Sequence, residues 1–126
     1  MCPFCARISE DNVLASFGSI VAIADAYPLT PGHTLLLPRR HVADFFSLSR
    51  EERMELLDAL SSMRDRLAAE TPFDGVNIGL NNGAAAGQTV SHCHVHFIPR
   101  RSGDVPDPRG GVRWIFPDSA NYWTDV

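Results

Sequence analysis

Ser91-His92-Cys93-His94-Val95-His96-Phe97-Ile98 sets three histidines at every second position. A β-strand sends alternate side chains to opposite faces, so residues i, i+2 and i+4 share one face. Read as a strand, this stretch lines one face of a sheet with three imidazoles roughly 6–7 Å apart. Cys93, Val95 and Phe97 then turn the other way, into a core. Imidazole is a poor surface filler and a costly core one. Yet three of the chain's five histidines stand in this one run. Three readings are open: hydrogen-bonded histidines with no chemistry, a catalytic metal with an open position, or a neutral imidazole acting as nucleophile.

The loop just upstream favours the nucleophile. Asn82-Gly83-Ala84-Ala85-Ala86-Gly87 is built of small residues and leads through Gln88-Thr89-Val90 into the histidine run. Gly83, Gly87, Gln88 and Thr89 offer close backbone approach, an amide and a hydroxyl, donors suited to phosphate oxygens. A phosphate cradle feeding straight into a row of imidazoles puts substrate donors beside a nucleophile.

The remaining elements follow from pattern. Asn12 to Phe17 and Ser19 to Asp25 are apolar runs broken by Gly18, which reads as a hairpin. Tyr27 to Gly32 is a loop, and His33 to Pro38 a short buried strand. The one long helix is expected from Ser49 to Glu70, opened by a Ser49/Glu52 capping box and stopped by Thr71-Pro72. Leu56, Leu60, Met63 and Leu67 give it one buried stripe. A short helical turn is expected around Val42 to Leu48. Phe73 to Asn81 reads as a strand. From Ser102 the chain turns rich in Gly and Pro, an irregular tail with one short strand at Val112 to Phe116. Strands flanking a helix without βαβ alternation give α+β: an antiparallel sheet of about five strands, one long helix and one short. The expectation is a single domain over 1–126, with its core in 1–101 and its tail in 102–126.

Composition narrows the function. At 126 residues, 44% hydrophobic and 21% charged, the chain has the size and make-up of one globular domain. A net charge of −4 argues against a nucleic-acid groove. No apolar stretch approaches the ~20 residues of a membrane span. The N-terminus lacks a signal-peptide layout, so the expected location is the cytoplasm. Three cysteines are an odd number, and Cys2-Pro3-Phe4-Cys5 in a reducing compartment reads as metal or redox chemistry.

Gly87-Gln88-Thr89-Val90-Ser91-His92-Cys93-His94-Val95-His96-Phe97-Ile98 resembles the signature of the histidine triad family of nucleotide hydrolases and transferases. Pro31-Gly32-His33-Thr34-Leu35-Leu36-Leu37-Pro38 and Pro99-Arg100 also match it, and the likeness runs from about Cys2 through Arg100. The Gln-Thr-Val lead-in and Pro-Arg exit look most like the dinucleoside polyphosphate hydrolase branch, the fragile histidine triad type. The resemblance implies that His94 attacks the α-phosphorus, giving a nucleotidyl-histidine intermediate that water resolves. His96 then contacts phosphate and helps the leaving group depart. Asp25 holds the ribose hydroxyls; Asn81, Gln88 and Thr89 meet the phosphates; His33 orients the triad from behind. Diadenosine polyphosphates are the implied substrates, with nucleoside phosphoramidates, phosphorolysis or a slow-turnover nucleotide sensor as alternatives. No magnesium motif is visible.

Some members of the family, and related uridylyltransferases, carry Cys-x-x-Cys near the N-terminus. By that likeness Cys2 and Cys5, with His41 and His92, form a closed structural zinc site. The catalytic pair is then His94 and His96, and Cys93 is packing. The resemblance also implies a homodimer. The pocket for the base is expected to include apolar residues near Ile8, Phe17 and Leu35. Trp114 and Trp123 are open to a base, a partner subunit or plain packing. Asp25 and Asn81-Asn82-Gly83 read equally as turns, and Arg100 and Arg101 equally as a solvated edge.

Overall fold

The computed structural model describes residues 1–125. Five strands form one antiparallel sheet: β1 (Ala15–Phe17), β2 (Ile20–Ala24), β3 (Thr34–Pro38), β4 (Gly75–Gly79) and β5 (Val95–Arg100). Their order across the sheet is β1-β2-β3-β5-β4. Phe17 pairs with Ile20, so Gly18 and Ser19 alone make the first turn. Gly18 takes φ +64 there, the left-handed conformation that a two-residue hairpin asks of its leading glycine. β3 is buried along its whole length, which accounts for its unbroken apolar run.

Helix α1 (Pro3–Ser9) lies on one face of the sheet and helix α2 (Arg50–Glu70) on the other. Against α2 pack Ile20, Ala22, Leu36, Cys93, Val95 and Phe97, with Leu56, Ala59, Met63 and Leu67 of the helix. On the opposite face Val21, Ile23, Leu35 and Leu37 meet Phe4, Ile8 and Val13. The expected stripe on α2 is correct except that Ala59 is the buried residue and Leu60 only half-buried. A 3.6-residue period falls between positions 59 and 60, and the smaller side chain lies closest to the sheet.

The capping box forms as expected. The Ser49 hydroxyl accepts from the Glu52 N–H at 3.0 Å, and Glu52 accepts from the Ser49 N–H at 2.8 Å. Glu52 does more than cap: it is buried and takes two 2.9 Å bonds from Arg40. Those bonds outweigh burial and hold its carboxyl below the usual range. Glu52→Ala is expected to lower the unfolding free energy by about 2 kcal/mol, read by urea titration. The folded state binds fewer protons than the unfolded one at this site. The contribution is therefore complete above the unfolded value near pH 4.3 and disappears as pH falls through the lower folded value.

Three expectations need correction. The histidine strand was expected from Ser91 to Ile98, but β5 starts at Val95 and runs on to Arg100. Its pairing with β3 reaches only Leu36↔Val95. Further on, Pro38 has no N–H to offer, and its carbonyl accepts from the His92 ring instead. The facing pattern survives, since Cys93 still joins Val95 and Phe97 in the α2-side core. Similarly, β4 is shorter than the expected Phe73 to Asn81. The helical turn expected within Val42 to Leu48 forms as a 3-10 turn at Phe45–Ser47, while the short helix α1, too brief to show periodicity, was not expected.

The expected strand at Val112 to Phe116 is a 3-10 helix at Gly111–Ile115, followed by α3 (Pro117–Ala120). Gly110 and Gly111 take φ +92 and +48 in succession, which no strand accommodates. Trp114 and Trp123 pack edge-on at 6.3 Å, with Arg109 over the Trp123 ring. No helix among the described residues is long and apolar enough to cross a membrane.

Candidate active site

His94 is buried, and its Nδ1–H donates to the carbonyl of His92 at 2.8 Å. That bond fixes the tautomer and leaves the lone pair on Nε2. Its ring meets His96 at 5.3 Å between centroids.

A relay of hydrogen bonds sets the proton of His96. The Leu29 N–H donates to Nδ1 of His33 at 3.0 Å, so His33 carries its own proton on Nε2. That proton faces Nδ1 of His96 at 2.9 Å. His96 therefore keeps its proton on Nε2. Asp25 Oδ1 accepts from the Tyr27 N–H at 2.8 Å, while Oδ2 stands 3.3 Å from His33 Nε2 and 3.8 Å from His96 Nδ1. Asp25 thus closes a turn and stands beside His33 and His96. Burial lowers His33, against the pull of Asp25. Burial, then His94 and His33, lower His96. Both shifts favour the neutral ring.

The loop before the histidines is internally braced. Gln88 accepts from the Gly83 N–H at 2.8 Å and donates to the carbonyls of Ala43 and Val90 at 3.0 and 3.1 Å. Its amide is spent on the loop and on the segment after β3. Asn81 and Thr89 are exposed. Asn82, which the sequence reading left as a turn residue, bridges to the Phe45 N–H and to Asp44.

His92 turns away from His94 and His96. Its Nε2–H donates to the Pro38 carbonyl at 2.7 Å, and its Nδ1 faces Cys2 Sγ at 3.5 Å and Cys5 Sγ at 3.6 Å. His41 Nδ1 lies 3.3 Å from Cys5 Sγ. The four ligand atoms all lie within 4.8 Å of one another. Zinc–sulfur and zinc–nitrogen bonds of about 2.3 and 2.0 Å at tetrahedral angles put sulfur and nitrogen about 3.5 Å apart. The donor set therefore fits a four-coordinate ion, and the Pro38 carbonyl supplies the outer partner that aims His92. All three cysteines are free thiols. Burial pushes Cys93 up to about 11, an inert packing thiol. Among the described residues His92 gathers with Cys2, Cys5 and His41, and His96 with Asp25 and His33, while His94 joins neither set.

Other expected residues sort by face. Leu35 pairs with His96 across the sheet and, with Ile8, lies on the imidazole side. Phe17 belongs to the α2 side instead, because the turn places it with Ile20. Arg100 is half-buried, bound to Asn77 and Asp104, and Arg101 reaches the carbonyls of Thr71 and Pro72. Neither is a solvated edge. Beyond His96, Ile98 and Arg100 of β5 and Val112 and Trp114 of the tail line an open cleft of about 790 Å³, with Leu29 and Asn77 also in its wall. Sequence reasoning missed Phe4, whose ring stands edge-on to His94 at 5.0 Å. Its only signal was its place between two cysteines.

Residues 7–103 match the family model described as HIT domain. The chain belongs to the HIT family. An uncharacterized HIT-like protein of Saccharolobus solfataricus is 36% identical over 110 residues, 85% of this chain and 78% of its own. The bis(5'-adenosyl)-triphosphatase of Dictyostelium discoideum is 39% identical over 85 residues, 66% of this chain and 56% of its own. Among solved structures, a Zn-bound histidine triad family protein from Mycobacterium smegmatis superposes with a TM-score of 0.66 at 35% identity, covering 84% of each chain. The extended likeness is thus to an uncharacterized HIT protein, and the named hydrolase matches over a shorter span.

Proposed function

We propose that this HIT protein hydrolyses or transfers nucleotides, acting on dinucleoside polyphosphates through a covalent bond between His94 and the α-phosphorus. The observation that carries this reading is the Nδ1–H of His94 held by the His92 carbonyl, which aims an unprotonated Nε2 outward. In the first step that lone pair attacks phosphorus and the bond to the bridging oxygen breaks. The Nε2–H of His96 hydrogen-bonds to the departing oxygen. In the second, water attacks phosphorus, the P–N bond breaks and AMP leaves. One hard displacement becomes two easier ones.

Asp25 receives the ribose diol, because a carboxylate accepts both hydrogens. Thr89 and Asn81, exposed and without protein partners among the described residues, meet the phosphates. Gln88 serves them by bracing the loop. Leu35 and Ile8 supply the apolar wall for the base. Cys2, Cys5, His41 and His92 hold zinc. With four protein ligands such an ion has no open position, and it supplies structure rather than chemistry. By likeness to its family the chain works as a homodimer, on nucleotides rather than nucleic acid.

The name of the Dictyostelium relative supports the dinucleoside substrate over phosphoramidates. A panel of diadenosine tri- and tetraphosphate, adenosine phosphoramidate and adenosine phosphosulfate, resolved by ion-exchange chromatography in ¹⁸O-water, tests it. Fastest release of ¹⁸O-labelled AMP from a diadenosine polyphosphate is expected. Tight binding without release of AMP would make the protein a sensor.

A further inference from the structure

We propose that Phe4 is a positioning residue for the nucleophile, and that the Cys2–Cys5 knuckle acts on catalysis through it. The inference rests on the reading of His94 as nucleophile. The hydrogen bond to the His92 carbonyl fixes which nitrogen of His94 is free, but a single bond at Nδ1 narrows the ring's tilt without setting it. Two aromatic edges restrict that tilt. His96 stands at 5.3 Å and 64°, Phe4 at 5.0 Å and 77°, both near-perpendicular contacts. Phe4 also meets His92 at 5.9 Å and 70°. One phenyl ring thus touches a residue of the Cys/His cluster and the nucleophile together.

The ring is itself held by the knuckle. Cys2 caps α1, accepting from the Cys5 N–H at 3.4 Å, and Phe4 lies between the two sulfurs in sequence. A helix of seven residues is too short to be stable alone. It is anchored by the Cys/His cluster, by Arg7 on the Ala24 carbonyl, and by Phe4 and Ile8 on the apolar face formed by Val21, Ile23, Leu35 and Leu37. Cys-Pro-Phe-Cys therefore has two outputs: its sulfurs turn toward His41 and His92, and its phenyl ring toward His94. Without an ion on Cys2, Cys5, His41 and His92, α1 would be held less firmly and the nucleophile's ring would be freer, although none of the four ligands is a reacting group.

Phe4→Leu keeps an apolar side chain without the flat edge, and Phe4→Tyr keeps the edge. Three readings are taken on each: metal per chain by native mass spectrometry, exchange of the His94 Nδ1–H proton by NMR, and the single-turnover rate of nucleotidylation alongside KM. Phe4→Leu is expected to stay folded with wild-type metal content and to exchange its Nδ1–H faster. Its nucleotidylation rate is expected to fall by about 10- to 100-fold with little change in KM. Phe4→Tyr is expected to stay within about threefold of wild type. A Phe4→Leu protein with wild-type exchange and rate overturns the proposal. So does loss of metal from both Phe4→Leu and Phe4→Met, because the ring then builds the cluster rather than positioning the nucleophile. If wild type forms no adduct, the proposed function fails, while the proton-exchange comparison still judges Phe4.

Discussion

His94→Ala is expected to abolish turnover of diadenosine polyphosphates, with a loss of at least about four orders of magnitude in kcat. No other side chain in the site can take its place. His96 has its Nδ1 occupied by His33 and its proton on Nε2, so it presents a donor rather than a lone pair. His92 has both nitrogens committed, to the Pro38 carbonyl and toward the cysteines. The variant should still bind nucleotide, since Asp25, Thr89 and Asn81 are untouched. Steady-state kinetics with isothermal titration separates the two effects: binding kept and turnover lost is expected, and turnover within tenfold of wild type would refute the assignment.

The second large effect concerns the Cys/His cluster. Cys5→Ser, or exhaustive chelation of wild type, is expected to destabilise the domain by about 3 kcal/mol or more. For a chain of this size that lowers the thermal midpoint by roughly 10 °C. The cost arises because the cluster ties α1 and the segment after β3 to residue 92, and neither segment has a strong core of its own. Hydrogen exchange should quicken first in residues 3–9 and around His41, with α2 protected as before. A midpoint unmoved by chelation, in a protein shown to have carried metal, would remove zinc from the account.

The parts of this molecule legible in its sequence are those set by near neighbours. The Ser49/Glu52 box and the Thr71-Pro72 stop locate α2 because each interaction spans only a few residues. The alternation that turns Cys93, Val95 and Phe97 inward was equally plain, being a property of extended chain. What escaped were contacts between distant segments. The start of β5 depends on Pro38, which offers no N–H and lends its carbonyl to a ring 54 residues away. The proton on His33 depends on the Leu29 main chain, and backbone donors leave no mark in a sequence. Gln88 read as a phosphate ligand because its amide is the right chemistry; in the fold that amide is consumed by Gly83, Ala43 and Val90. His41 and His92 entered as partners of Cys2 and Cys5 through family likeness alone, and the fold brings all four ligand atoms together. Phe17 was assigned to the wrong face because the two-residue turn at Gly18 sets the register of β1.

The most direct measurement is mass spectrometry of wild-type protein quenched in base during turnover of a diadenosine polyphosphate. The account predicts one adenylyl group on the peptide spanning His92 to His96, located by fragmentation at residue 94 and absent from His94→Ala. Rapid turnover with that peptide unmodified at every quench time, or with the group attached at another residue, would contradict it.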